Sequence, residues 1–253
     1  VERRLVKQRV KQVVRRTVGE PYVGKRLKLR NLNHVLPALD LHPHDILDAG
    51  AEDATFVYWL ADHFPEARVT AVDIDAEAIA SCQDALPASY AGRVSFGVSY
   101  FSELEPESFD LITAFDVLEH IEDDAAAARD LFRALRPGGS LLVHVPRNVW
   151  THRDGRQEVV PDDEAWKINA GHVRMGYSPE SLGNLLEGAG FDVTDTQLWL
   201  RRWGVVAHET YARVERIVPL RLVTLPITDT AAVLDRRRPE AEGNTVFVRA
   251  VKP

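Results

Sequence analysis

The sequence predicts an α/β protein built on a doubly wound, mostly parallel sheet with helices on both faces, and three observations carry that expectation. From Ile46 to Val145, short runs rich in Val, Ile, Leu and Phe alternate with longer stretches of helical character. Right-handed crossovers then bury a parallel sheet between two helical layers. The first run ends in Asp48-Ala49-Gly50, a turn where a missing Cβ lets backbone approach a ligand. Third, the 253-residue chain is 45% hydrophobic and 27% charged, an ordinary globular composition with enough apolar residues for one large core.

Taken in order, a basic amphipathic helix is expected first, stopping near Gly19-Glu20-Pro21, since Gly favours the position after a helix and Pro cannot continue one. A second helix is expected from Val23 to Leu39. Strands follow at 46–50, 69–73, 94–98, 109–115 and 140–145, with helices at 54–63, 76–86 and 123–135 between them. From Arg147 to Gly176 the rhythm breaks into a polar stretch too long for an ordinary connection, which reads as a lid or substrate loop. Ser178-Pro179-Glu180 opens a helix, with Ser as cap, Pro at the first position and an acid near the positive end. It ends at Gly188-Ala189-Gly190. A strand at 191–200, a helical insertion at 205–234 and a last strand at 244–251 complete a seven-stranded sheet. The expected organisation is a helical arm or cap at 1–43 on an α/β domain at 44–253, with lid or substrate segments at about 147–177 and 201–240.

Charge is unevenly spread. Residues 1–30 carry +9 and the rest −16, for a net −7. Such an arm suits RNA, an anionic membrane surface or a phosphorylated substrate. Equally, its Arg and Lys are the wet face of an amphipathic helix whose dry stripe is Leu5, Val6, Val10, Val13 and Val14. The acidic remainder argues against a broad nucleic-acid footprint. Cys82 is the lone cysteine, so internal disulfides and CxxC motifs are excluded. No apolar run reaches the ~20 residues of a membrane span, and the basic N-terminus lacks the apolar core of a signal peptide, so a cytoplasmic protein is expected. A homodimer is an open possibility.

A nucleotide-type ligand fits the turn after the first strand, where backbone N–H groups and a helix N-terminus converge. Asp73, at the tip of the second strand, is placed to take both hydroxyls of a ribose; its other reading is a helix cap, a role that Asp75 can fill instead.

ILDAG (46–50), VTAVDID (69–75), SFDLITAFDVLEHIED (108–123) and LRPGGSLLVHVP (135–146) stand in the order and spacing of class I S-adenosylmethionine-dependent methyltransferases, which the chain resembles. The likeness is greatest to the small-molecule branch that includes ubiquinone and sugar methyltransferases, and GHVRMGYSPESLGNLLEGAGF (171–191) resembles that branch too. It spans roughly residues 44–200. It implies that the last strand closes an antiparallel hairpin, with S-adenosylmethionine as cofactor and S-adenosylhomocysteine as product. It further implies that Asp48, Ala49, Gly50, Ala51 and Glu52 lie along the methionine end, Asp73 on the ribose and Ile74 on the adenine. Ser99, Tyr100 and Phe101 would flank the adenine, and Phe115 and Asp116 the sulfonium. Two departures stand out. Glu52 and Ala54 replace turn glycines of the family, and Glu52 either pairs with the methionine ammonium or points to solvent. Around residues 99–101, where relatives often carry an acid for the adenine amine, there is none.

Methyl transfer is an in-line displacement, so alignment is the main task, and an oxygen acceptor gains from a base working near neutrality. Among nine histidines, His120 follows the fourth strand and His172 ends the expected lid, with Arg174 and Tyr177 close by. His120, His172 and Tyr177 are therefore the catalytic candidates, each with a structural role as its alternative. Tyr22, His152 and Arg174 are candidates for the acceptor, a small molecule that is anionic or carrier-borne in one version. No Asn-Pro-Pro-Tyr or Asp-Pro-Pro-Tyr follows the fourth strand, which disfavours nucleobase amines and glutamine amides. The His and acid spacings suggest no metal site. A dinucleotide oxidoreductase would want GxGxxG, and only Gly50 is present. The remaining alternative is a non-catalytic or repurposed protein of this fold with a weakened cofactor site.

Overall fold

A computed structural model describes Val14, Thr17 and residues 19–161, 171–214, 218–236 and 242–253. The amphipathic helix expected over residues 1–18 falls almost wholly outside these, as does the middle of the expected lid.

Helix α1 (Val23–Val35) continues into a 3₁₀ turn (Leu36–Leu39). Strands β1 (Asp45–Ala49), β2 (Arg68–Asp73), β3 (Val94–Val98), β4 (Phe109–Phe115) and β5 (Leu135–Pro146) alternate with α2 (Thr55–His63), α3 (Ala76–Asp84) and α4 (Asp124–Ala134). A hairpin of β6 (Val149–Thr151) and β7 (Gln157–Val159) precedes α5 (Pro179–Gly188) and β8 (Asp192–Trp199). Then come α6 (Arg202–Val214), α7 (Val218–Asp235) and β9 (Thr245–Val251). The seven-stranded sheet runs β3-β2-β1-β4-β5-β9-β8, parallel except that β9 is antiparallel to both of its neighbours.

Alternation along the strands explains the two helical layers. Ile46, Leu111 and Leu142 face one way, into a core with Val57 and Leu60 of α2. Leu47, Ile112, Leu141 and Val143 face the other, into a core with Leu131 of α4 and Leu182 and Leu186 of α5. Successive side chains thus serve opposite faces, and both faces are dry. Ser178 caps α5 as expected, its hydroxyl accepting the Ser181 N–H at 3.0 Å. One expectation needs correction. The polar stretch after β5 contains a two-stranded hairpin, because Trp150 and Val149 pair across to Glu158 and Val159. The expected helical insertion is formed by two helices, with Pro226 inside the second.

A third, smaller core joins α1 to the insertion through Val23, Leu27, Ala207, Tyr211, Ala231 and Ala232. Charge fastens the same contact. Asp229 of α7 takes the fork of Arg26 at 2.7 Å through each oxygen and that of Arg30 at 2.8 Å. Such two-pronged pairs fix orientation as well as distance. They hold α1 where its polar face meets the carboxyl ends of the strands.

Candidate active site

A cavity of about 1060 Å³ lies along the carboxyl ends of β2, β1, β4 and β5. This is the edge where open α/β sheets take ligands. Gly50 follows β1 at φ +90°, and a Cβ there would lie 2.5 Å from Val117 Cγ2, so the turn is closed to any side chain. Glu52 (φ 43°) and Ala54 (φ 59°) are also left-handed, a conformation that favours glycine. This chain keeps the backbone path at a cost on the order of 1–2 kcal/mol per residue. The Glu52 N–H donates to Asp73 Oδ2 at 2.9 Å, while its carboxylate points outward to Lys25 Nζ at 2.7 Å.

Asp73 Oδ1 accepts the Asp75 N–H at 2.9 Å. Capping of α3 falls to Asp75, whose carboxylate accepts the N–H groups of Glu77 and Ala78. Asp73 is therefore oriented at the cavity rim by backbone donors, with a further lone pair on each oxygen. Beside it, Ile74 and Tyr100 are 68% and 63% exposed. Two large apolar side chains left in the open next to a fixed acid make a slot suited to a flat heterocycle on a ribose. Ser99 and Phe101 line it as well. The nearest acid in sequence, Glu103, turns back to accept the Tyr100 N–H at 3.0 Å and so closes its own turn.

Gly50, Ala51, Glu52, Asp73, Ile74, Ser99, Tyr100, Phe101, Phe115 and Asp116 all line the cavity, as do His120 and His172. Asp48 and Ala49 lie beneath the turn, buried and outside the lining. Tyr22, His152, Arg174 and Tyr177 do not line it either. His152 pairs with Glu158 on the hairpin. Arg174 donates to the carbonyls of Leu118, Ile121 and Glu122, and the Tyr177 hydroxyl donates to Asp124 at 2.8 Å with the Leu118 carbonyl 3.1 Å away. Burial pushes that phenol above its ordinary range. Both residues brace the turn after β4, which is a positioning role.

Sequence reading missed Lys25 and Lys28 of α1, Glu119, His144 and His208, all of which line the cavity. Lys28 ion-pairs with Asp116, which sits at φ +56° and also takes His144 Nδ1 at 2.7 Å. Burial draws the Lys28 ammonium down to about 8 and holds the His144 imidazole well below its usual value. Burial likewise pushes the Glu119 carboxyl up to about 7 and pulls His172 down. Glu119 stood within a quoted motif and Lys25/Lys28 within the basic arm, so a signal existed for each.

Asp48 is the clearest pH-sensitive group. Burial pushes its carboxyl up to about 7; Oδ1 accepts the Thr113 hydroxyl at 2.7 Å and Oδ2 is buried without a partner among the described residues. The folded protein thus keeps a proton that the unfolded chain releases above ~4, so this group's contribution to stability falls as pH rises from about 4 to about 7. Asp48→Asn keeps an acceptor for Thr113 and cannot ionise. Relative to the variant, the wild type is expected to lose about 2 kcal/mol between pH 5 and pH 8. Denaturant melts across that window check it, and parallel curves would show Asp48 ionised in the fold.

A strand order reversing between β1 and β4, a glycine turn after β1 and an acid at the end of β2 define a class I, Rossmann-like fold. Residues 22–196 match the family described as a methyltransferase domain, and the chain belongs to that family. It is 34% identical over 154 residues to a probable S-adenosylmethionine-dependent methyltransferase of Mycolicibacterium smegmatis, covering 60% of this chain and 53% of that protein. It is 34% identical over 104 residues to a trans-aconitate 2-methyltransferase of Azoarcus sp., covering 41% and 39%. The chain thus spans about half or less of the length of these relatives. An S-adenosylmethionine-dependent methyltransferase from Mesorhizobium loti shares the fold, with a TM-score of 0.58 at 18% identity over 88% of this chain and 98% of that one.

Proposed function

We propose that this chain transfers a methyl group from S-adenosylmethionine to an oxygen of a small-molecule or carrier-linked acceptor. The observation that carries the reading is one continuous cavity with the Asp73–Ile74–Tyr100 slot on the β2 side and His120, His172 and His144 on the β4–β5 side. Asp73 would hold the ribose, Ile74 and Tyr100 the adenine faces, and the Gly50 turn the methionine portion.

S-adenosylmethionine, when bound, supplies a methyl carbon whose bond to sulfur breaks with both electrons going to sulfur, leaving neutral S-adenosylhomocysteine. The acceptor oxygen forms the new bond and gives up its proton. Phe115 and Phe56, packed edge to face at 4.9 Å, form a dry wall beside the point of transfer. The His120 Nδ1 faces the Gly171 carbonyl at 2.7 Å, so it carries the ring proton and Nε2 is the basic atom. His120 would accept the acceptor's proton there. Lys25 and Lys28 line the cavity but are paired with Glu52, Asp53 and Asp116, so an anionic acceptor rests on the relatives alone, among which are trans-aconitate 2-methyltransferases. Under this reading residues 1–43 act as a cap, since α1 brings both lysines to the site, and 201–240 as part of the lid. A small acceptor and a cytoplasmic setting go with it. Among the described residues no helix is long and apolar enough to cross a membrane.

The test is S-adenosylhomocysteine titration calorimetry, followed by turnover assays with phenols, sugars, carboxylic acids and amines. Binding with methylation of an oxygen acceptor is the expected result. Turnover of amines alone would overturn the oxygen assignment. Binding with no turnover on any class would favour a repurposed protein, and no binding would end the cofactor reading.

A further inference from the structure

The turn after β4 brings two adjacent side chains, Glu119 and His120, against a third, His172, that lies 52 positions further along the sequence. Donor atoms of Glu119, His120 and His172 lie within 4.8 Å of one another. Glu119 is 1% exposed, and its Oε2 is buried with no hydrogen-bond partner among the described residues. A buried carboxylate oxygen left unsatisfied is costly, and it calls for a ligand. The two imidazoles meet edge to face at 4.6 Å, and all three residues line the cavity.

Their surroundings hold them in place. His120 gives its Nδ1 proton to the Gly171 carbonyl, which leaves Nε2 as a lone-pair donor. Metal-bound histidines are normally braced in this way, by a carbonyl or carboxylate on the other nitrogen. The Val173 N–H donates to the Glu119 carbonyl at 2.9 Å, tying the two segments on either side of the cluster. Arg174 ties them again through the carbonyls of Leu118, Ile121 and Glu122. Lys28, whose charge bears on Glu119, is ion-paired to Asp116 instead.

We propose that Glu119, His120 and His172 form a binding site for a divalent first-row transition cation, open on the cavity side to an oxygen of the acceptor. One carboxylate and two imidazoles are a donor set for zinc, manganese, iron or cobalt rather than for calcium or magnesium. Three protein ligands leave positions for an outside oxygen, as catalytic sites require and closed structural sites do not. Bonds of about 2.0–2.2 Å would draw the donors together by small side-chain rotations. A cation here would anchor a hydroxyl or carboxylate of the acceptor and lower the pKa of a bound hydroxyl. Only that last role rests on the methyltransferase reading; the cation site itself stands on the three side chains. With the cation bound, His120 is a ligand and no longer the base.

The experiment uses the full chain without a polyhistidine tag, stripped with chelator and titrated with Co²⁺ while visible d–d absorption is recorded. Parallel calorimetry follows S-adenosylhomocysteine. One equivalent of Co²⁺ with a d–d spectrum is expected, displaced by Zn²⁺ and weakened at least about tenfold in both Glu119→Gln and His172→Ala. Unchanged S-adenosylhomocysteine affinity in those variants would show that the fold is intact. No d–d spectrum in protein that still binds S-adenosylhomocysteine would overturn the site and return His120 to service as a free base. Co²⁺ binding that ignores both substitutions would overturn it as well. A spectrum lost in the variants, in protein that never binds S-adenosylhomocysteine, would keep the cation site and sink the cofactor reading.

Discussion

Asp73→Ala is expected to weaken S-adenosylhomocysteine binding about a hundredfold while leaving the protein folded. Each oxygen of Asp73 already accepts one backbone N–H, from Glu52 and Asp75, both at 2.9 Å. Those bonds aim the remaining lone pairs at the cavity. Hydrogen bonds to a charged group are worth about 1.5–3 kcal/mol each, and a ribose offers two hydroxyls. Their joint loss is roughly 3 kcal/mol or more, hence the hundredfold. Part of the loss would come through the turn, because Glu52 holds φ 43° with help from this carboxylate. Asp73→Asn separates the two effects: it keeps one acceptor oxygen and removes the charge, so an intermediate affinity is expected. Calorimetry gives the affinities and a thermal melt checks the fold. Wild-type affinity in Asp73→Ala would move the ribose elsewhere in the cavity.

The sheet was legible because each strand carries its own evidence. Ile46/Leu47, Leu111/Ile112 and Leu141/Leu142 are adjacent apolar pairs, and only a strand buried on both faces uses both members. Asp73 was legible for a similar local reason, since Asp75 relieves it of capping α3. The hairpin β6–β7 was not legible. Its strands are only three residues each, and a pattern with period two needs more than that to show. His120 and His172 were named from the sequence, but their meeting with each other, and that of Lys28 and His144 with Asp116, was hidden for a different reason. His120 and His172 are 52 positions apart, and Lys28 and His144 reach Asp116 from opposite parts of the chain. Such groups meet only through the crossover rule and the packing of α1 on α7. Spacing along the sequence carries no trace of that meeting, so Glu119 read as a motif residue and the His and acid spacings pointed to no metal.

Tyr177 and Arg174 show the converse. Both residue types suggest chemistry, yet both spend their polar atoms on the turn at 118–124. What they do for the site is indirect: they keep His120 facing the cavity.

His120→Ala is accordingly expected to lower kcat by about 10²–10³ while leaving S-adenosylhomocysteine affinity within about threefold, since Asp73 and the Gly50 turn are untouched. The loss follows whether Nε2 takes a proton directly or binds a cation, because either way the acceptor oxygen keeps its proton longer. The pH profile tells the two apart. A free base leaves an acidic limb in kcat/KM that vanishes in the variant, whereas a cation site gives wild-type activity that chelator abolishes and Zn²⁺ or Mn²⁺ restores. His120→Asn guards against a purely structural effect. Its amide offers an N–H toward the Gly171 carbonyl, which the ring nitrogen now meets at 2.7 Å, but it has no basic nitrogen. If bracing the turn were all that His120 does, asparagine would recover most of the lost rate. Activity as low as in the alanine variant places the requirement on Nε2 itself.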